Sequence, residues 1–214
     1  GFAVPYLSGP NSDVVPMTDL PPRLYDAYLE TSWQPVINQY ISGDLAFRIG
    51  VYSDFEHTNS DSIRYIGRGA GLISFGPRAQ VVVGAAYLDR QDVKLLPIIG
   101  LIWTPSVDAR WELVFPNPKI SNRLTTWGNT ELWWYVAGEY GGGSWTIERA
   151  NGANDIIDIN DIRVKLGTEF EGFHGVSGYI EVGYVFDREV EYFLTNTPDF
   201  KPDDTVMIGA GLRY

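Results

Sequence analysis

The chain has no cysteine, which removes disulfides, thiolate nucleophiles, zinc–thiolate sites and iron–sulfur clusters together. It has 2 histidines, His57 and His174, too few for a multi-histidine metal centre. Positive charge is scarce. Lys and Arg number 16 against 27 Asp and Glu, and the net charge of −11 leaves nothing to neutralise a phosphate backbone, which argues against nucleic acid as a partner. No window approaches the roughly 20 apolar residues that a membrane helix needs. Helical signals are poor as well, because 23 Gly and 13 Pro recur every few residues with β-branched and aromatic residues between them. With 20% charged and 44% hydrophobic residues, the chain is neither disordered nor collagen-like, and 214 residues suit one domain. A soluble β protein or a membrane β-barrel remains, since in lipid only helices and closed barrels satisfy the backbone.

The chain opens on Gly1-Phe2-Ala3-Val4 with no basic-then-apolar leader, and reads as a mature or trimmed product whose signal peptide has gone. Residues 1–23 carry Pro5, Pro10, Pro16, Pro21 and Pro22 and read as an irregular N-terminal arm or lumen plug. From Leu24 a period of two takes over, so 24–214 reads as the barrel.

Each segment splits by parity into two unlike faces. In 25–33, Tyr25, Ala27, Leu29, Thr31 and Trp33 oppose Asp26, Tyr28, Glu30 and Ser32. In 45–52, Leu45, Phe47, Ile49 and Val51 oppose Ala46, Arg48, Gly50 and Tyr52. In 107–115, Val107, Ala109, Trp111, Leu113 and Phe115 oppose Asp108, Arg110, Glu112 and Val114. In 131–140, Leu132, Trp134, Val136, Gly138 and Tyr140 oppose Glu131, Trp133, Tyr135, Ala137 and Glu139. In 162–170, Ile162, Val164, Leu166, Thr168 and Phe170 oppose Arg163, Lys165, Gly167 and Glu169. The segments 176–186 and 206–214 follow suit, with Glu181 on the polar side of the first and Phe186 and Tyr214 closing the apolar sides.

A soluble sandwich would alternate too. Three features favour a membrane barrel. The runs are long enough for a tilted strand to cross a bilayer, where ordinary strands average about 5–6 residues. The apolar faces carry aromatics at their ends, as an interfacial girdle does: Tyr25, Trp33, Phe115, Tyr140, Phe170, Phe186 and Tyr214. The polar faces mix Arg and Glu with Gly, as a narrow wet lumen would. Register is then forced, since an Arg or Lys turned to lipid near the midplane costs roughly 2–4 kcal/mol, and a one-residue slip of 162–170 would turn out both Arg163 and Lys165.

Two segments resist a clean reading. In 63–75 the parity of Arg64 and Arg68 leaves Gly67, Gly69 and Gly71 facing out. Segment 93–103 is apolar on both faces and contains Pro97, so a bulge, an interface position or packing against a plug is expected there, with 78–89 pairing before it. Gly76-Pro77, Thr104-Pro105-Ser106, Gly141-Gly142-Gly143 and Glu171–Gly175 read as short turns, the glycine triplet joining 131–140 to a separate strand 144–149. The longer polar stretches 55–62, 117–130, 150–160 and 195–204 read as outer loops. Eleven segments result, and a twelfth would come from the N-terminal arm or from Glu191–Thr195. The expectation is an all-β, transmembrane, up-and-down antiparallel β-barrel of about 12 strands, with 10 as runner-up.

The stretch from Gly128-Asn129-Thr130-Glu131-Leu132-Trp133-Trp134-Tyr135 through Gly138-Glu139-Tyr140-Gly141-Gly142-Gly143-Ser144-Trp145 to Arg149 resembles an outer-membrane-type β-barrel family of planctomycete bacteria whose function is unknown. Asp158–Arg163 and Glu181–Arg188 carry the same likeness. The resemblance implies a barrel in the bacterial outer membrane and assigns no catalytic residue. The ending Val206, Ile208, Ala210, Leu212, Tyr214 also resembles the assembly signal of outer-membrane barrels, with tyrosine where phenylalanine is commoner.

Catalytic candidates are few. His57 and His174 read as solvated loop and turn residues, and no enzyme activity is expected. Asp155, Asp158 and Asp161 recur every third residue without the glycine and glutamate of a calcium loop, so they read as an acidic loop running into a strand. Gly67-Arg68-Gly69-Ala70-Gly71 is followed by more strand, not by the helix a dinucleotide loop needs. Of the tryptophans, Trp134 points to lipid and only Trp133 can line a lumen. The lumen candidates are therefore Arg48, Arg110, Glu112, Glu131, Glu139, Arg163, Lys165, Glu169 and Glu181, with Glu30 on the same face. In a 12-stranded barrel they form a charge ladder around a narrow pore; in a 10-stranded one they pair and fill the interior. The expected function is a passive porin-like channel for small hydrophilic solutes. The alternatives are a structural or interaction barrel of the envelope and a soluble carbohydrate-binding β-sandwich. No cofactor or metal is expected. The expected partners are outer-membrane lipid, the barrel-assembly machinery, and envelope proteins or a second copy.

Overall fold

A computed structural model of the chain describes residues 1–5, 19–56, 58–149, 151–172, 175–195 and 197–213, Arg213 by its backbone alone. The expectations for His57, His174 and Tyr214 lie outside the described residues. Twelve strands follow one another: β1 Phe2–Ala3, β2 Tyr25–Trp33, β3 Ile41–Ser53, β4 Ile63–Ser74, β5 Ala79–Tyr87, β6 Leu95–Ser106, β7 Ala109–Phe115, β8 Lys119–Trp127, β9 Thr130–Glu148, β10 Asn154–Glu171, β11 Ser177–Tyr192 and β12 Thr205–Arg213. Each pairs antiparallel with the next in a single sheet. One further, parallel contact joins Ser53 of β3 to Thr146 of β9. The closed barrel is thus the seven-stranded ring β3–β9, and β1, β2 and β10–β12 continue the sheet outside it. A single continuous sheet is not the pair of facing sheets that a sandwich requires.

The strand total of twelve matches the expectation through compensating differences. Stretch 117–130 is not a loop, because Lys119–Trp127 is β8. Stretch 150–160 is largely the first half of β10. Residues 144–149 are not a separate strand; β9 runs unbroken from Thr130 to Glu148 with Gly141–Gly143 inside it. The arm supplies the remaining strand as β1, whose Phe2 pairs with Ala27. Pro97 sits inside β6 opposite Ala85 without a bulge. The ladder from β6 to β7 starts only at Ile99, so Pro97 lies beyond the end of that neighbour and its missing N–H is not needed there.

Register carries the alternation around the sheet. One outward row runs Val136, Leu166, Val182, Ile208 across β9–β12. Another runs Thr31, Phe47, Gly67, Tyr87, Leu95 across β2–β6, placing Gly67 on the outside as its parity required. These outward side chains lie open: Ile208 is 83% exposed and Leu166 54%. At one end the strands are joined by short turns at 34–40, 75–78, 107–108 and 128–129, and the end of β10 meets the start of β11 on the same side. At the other end the connections are 54–62, 88–94, 116–118, 149–153 and 193–204.

That second end carries the water-type core. β9, β10 and β11 span 19, 18 and 16 residues, well past their neighbours. Their far halves pack Trp145, Ile147, Ile157, Ile159, Val190 and Tyr192 with Leu24 and Tyr52, and Leu20, Ile66 and Phe200 pack at the edge. The glycine triplet explains how one strand serves both barrel and cap. β9 leaves β8 after Ala137 and meets β3 at Thr146. Between them Gly142 takes φ +91°, and a Cβ there would lie 1.8 Å from the Ile159 carbonyl oxygen. Only glycine permits that conformation and that approach. Across the mouth, Trp145 Nε1 donates to Asp26 at 2.7 Å, and the Glu148 amide donates to Asp54 at 2.8 Å.

Ile157 is fully buried in this cap. Ile157→Ala should lower the unfolding free energy by about 2–5 kcal/mol, read as a shift of the denaturant midpoint at unchanged slope.

Candidate functional site

The inward face of the curved sheet, which continues past the seven-stranded ring onto β2, β10 and β11, is the site that the fold assembles. Its charged side chains come from the inward parity of the strands, and the register sets them facing one another. In the β7–β11 half, Arg110 Nη1 contacts Glu171 Oε1 at 2.6 Å and Nη2 lies 3.6 Å from Glu131 Oε2. The Arg110 guanidinium stacks 3.9 Å over Trp133, whose Nε1 donates to Glu131 at 3.0 Å. Arg123 reaches Glu131 at 2.7 Å and also holds Asp108. Lys119 donates to Glu169 at 2.6 Å and lies 4.3 Å from the Tyr135 ring, whose hydroxyl donates to Glu181 at 2.6 Å. Arg163 pairs with Asp161 at 2.6 Å and Glu139 at 3.3 Å, and Lys165 bridges Glu139 and Glu181. Shared partners make this a network, in which ordering one side chain lowers the entropic cost of ordering the next.

The β2–β6 half also holds open space. A chamber of about 380 Å³ is lined by Glu30, Arg48, Ile66, Arg68, Ala86, Arg90, Leu96, Ile98, Glu139 and Tyr140. Arg48 Nε donates to Glu30 at 2.7 Å beneath the Tyr28 ring, and Arg68 pairs with Asp44 at 3.0 Å. The inner faces of β5 and β6 are small or aliphatic here, with Val82 and Ile98 buried. Arg90 comes from the 88–94 connection, which folds back toward the cap. Its Nη1 donates to the Gly141 carbonyl at 2.9 Å and to Asn160 Oδ1 at 2.7 Å. The same connection is fastened where Asp158 Oδ2 accepts from the Gln91 and Asp92 amides at 2.6 and 3.1 Å. Burial pulls the Arg90 guanidinium below its ordinary pKa, against the smaller upward pull of Tyr140, Asp158 and Asp161.

Of the nine lumen candidates, Arg48, Arg110, Glu131, Glu139, Arg163, Lys165, Glu169 and Glu181 all enter ion pairs on the inward face of the sheet. Glu112 shares their parity and faces Lys119 across the ladder, but Lys119 turns to Glu169 and Glu112 forms no ion pair among the described residues. Lys119, Arg123 and Glu171 are members the sequence reading missed. The first two alternate with Ile120 and Asn122, but Pro116-Asn117-Pro118 and the Ser-Asn pair give that stretch the composition of a loop. Arg90 had no periodic signal, because its place depends on a connection folding back.

Among the aromatics expected in a girdle, Trp33 and Phe115 are exposed on the outer face. Phe170 keeps the outward parity, opposite Leu132 and Gly178. Tyr25 packs outward against Phe55, and Phe186 stacks with Tyr184. Tyr140 departs from the expectation. It pairs with outward-facing Ile162, yet its ring lines the interior chamber 5.2 Å from Arg90 and its hydroxyl donates to Asn160 at 3.1 Å. The cause is the bend at Gly141–Gly142, which carries the strand off the barrel wall and into the cap. The acidic triplet also separates: Asp155 binds Arg149, Asp158 caps the 91–92 amides, and Asp161 holds Arg163. Three carboxylates committed to three sets of donors do not converge on one cation.

Lys165 is 15% exposed at its side chain and has two carboxylate partners. Lys165→Met should therefore destabilise the fold by about 3 kcal/mol, and adding Glu139→Gln should cost less than the sum of the two single changes, measured as a double-mutant cycle of denaturant unfolding. No protein family, curated protein or solved structure matches this chain.

Proposed function

We propose that this chain is a membrane-inserted β-barrel of the bacterial outer membrane, with an interior plugged by its own side chains and cap, and that it serves as a structural or interaction barrel of the envelope. The observation that carries the insertion is the inversion of the wall. Leu29, Val83, Ile99, Leu166, Ile180, Ile208 and Leu212 lie on its outside, while guanidinium and carboxylate groups fill the inside. Soluble monomers rarely leave more than a few hundred Å² of contiguous apolar surface in water. Strands of 9 residues, such as β2 and β5, rise about 23 Å at a common tilt of about 40°, close to the roughly 25 Å apolar band of such barrels. The planctomycete outer-membrane family that the 128–149 stretch resembles agrees with this placement.

The plugged interior is supported by the shared ion pairs, which run across the inward face from β2 to β11, and by the cap that crosses one mouth. A porin-like passage for small hydrophilic solutes is the second reading, favoured by the chamber of about 380 Å³ on the β2–β6 side. On the plugged reading, planar bilayers carrying the purified chain record no unitary current steps; steps would favour the porin.

Insertion itself is tested at Leu166, in the middle of an outward row. Leu166→Arg should lower stability in lipid by about 2–4 kcal/mol and reduce the yield of heat-modifiable, folded protein in vesicles. On a water-facing sheet the same change would move stability by no more than about 0.5 kcal/mol, and that result would end the membrane reading.

A further inference from the structure

Between β3, β4 and the cap segment of β9 lies a second interior pocket of about 110 Å³, lined by Asp26, Arg48, Tyr52, Arg64, Arg90 and Ser144 among others. It adjoins the larger chamber, with which it shares Arg48, Arg90 and Gly142. Arg64 is 6% exposed, and its Nε and Nη2 have no acceptor among the described residues. Its Nη1 reaches only the Asp89 carbonyl oxygen, at 3.4 Å. Nε and Nη2 form one edge of the guanidinium, the side-by-side pair of donors that fits two oxygens of a carboxylate or phosphate. Two buried hydroxyls share the lining: Ser144 Oγ has no partner among the described residues, and Tyr52 Oη, beside the Arg48 guanidinium, meets a donor while its own proton has no acceptor.

The acidic groups of this lining are already engaged. Asp26 accepts from Trp145, and Asp89 accepts from the Tyr65 amide and the Tyr87 hydroxyl. Glu30, in the adjoining chamber, is taken by Arg48. Neither Arg64 nor Arg90 has a carboxylate within ion-pair distance among the described residues, which leaves two buried cations facing one small polar space.

We propose that this pocket binds a small oxyanion, with the Nε/Nη2 edge of Arg64 as its bidentate anchor and the Tyr52 and Ser144 hydroxyls as further donors. The adjoining chamber admits a small polar group attached to the anion. The site belongs to the interior alone and stands apart from whether the outer wall meets lipid; failure of insertion is read from Leu166→Arg, and failure of this site from ligand titration.

The test is calorimetric titration of the full-length folded chain, in detergent at low salt, with inorganic phosphate, sulfate and acetate. The expected result is saturable, one-to-one uptake of phosphate. Arg64→Gln should weaken it by about tenfold or more, and Tyr52→Phe and Ser144→Ala each by about threefold. Lys201→Gln, which removes one positive charge from an exposed connection, should leave the affinity within about twofold. A cooperative unfolding transition followed by tryptophan fluorescence establishes that each variant is folded. Should Arg64→Gln fail to fold, Tyr52→Phe decides the matter, since it removes a single oxygen. No saturable uptake by the parent chain overturns the proposal. So does unchanged affinity in the folded Arg64→Gln or Tyr52→Phe variant, or an equal loss in Lys201→Gln.

Discussion

A pleated strand sends alternate side chains to opposite faces, and in this protein that alternation separates two chemistries. One face collects aliphatic and aromatic groups on the outside, and the other collects charges on the inside. Because the period is two, no strand can slip by one residue without exchanging the faces wholesale. On the inward face the charges are only partly exposed, so a cation there gains from a carboxylate nearby. The pairs Arg110–Glu171, Lys119–Glu169 and Arg163–Glu139 supply this across strands, and aromatic faces such as Trp133 and Tyr135 complete the cradle.

The cap follows the opposite rule. Where β9, β10 and β11 outrun their neighbours, both faces of β10 become buried from Asp155 to Asp161. The apolar groups there turn against Leu24 and Tyr52, as in a protein folded in water. The inverted wall and the conventional cap meet at the glycine triplet. Arg90 and Asp158 fasten the junction from the side of the 88–94 connection. In the proposed setting the cap is the part of the molecule that stands clear of the bilayer, which is why its core is built for water.

Much of this was legible. Tyr25 to Trp33, Leu45 to Tyr52 and Ile162 to Phe170 took the faces that parity assigned, and most of the charged residues singled out on the inner faces form ion pairs with one another or with neighbours on the same face. The errors share a cause. Gly141–Gly143 has the composition of a turn, but composition does not reveal that β10 lies close enough to make glycine a packing requirement within a strand. The Lys119–Trp127 strand was obscured by the flanking Pro116 and Pro118, although Lys119, Ser121 and Arg123 alternate with Ile120 and Asn122. Tyr140 was assigned by counting alternate residues, and counting fails where a strand bends.

The amino-acid sequence alone determined the all-β class, the two faces of most strands and which charges share the inward face. All of these follow from the period of the backbone and the sorting of apolar and charged side chains onto opposite faces, which act residue by residue. Only the tertiary structure decided which carboxylate each cation meets, that the ring closes through Ser53 and Thr146, and that Arg64 and Arg90 stand over one pocket. Those outcomes depend on distances between segments far apart in the chain. They are set by how the sheet curves and where its longest strands fold over, and a local pattern carries no record of either.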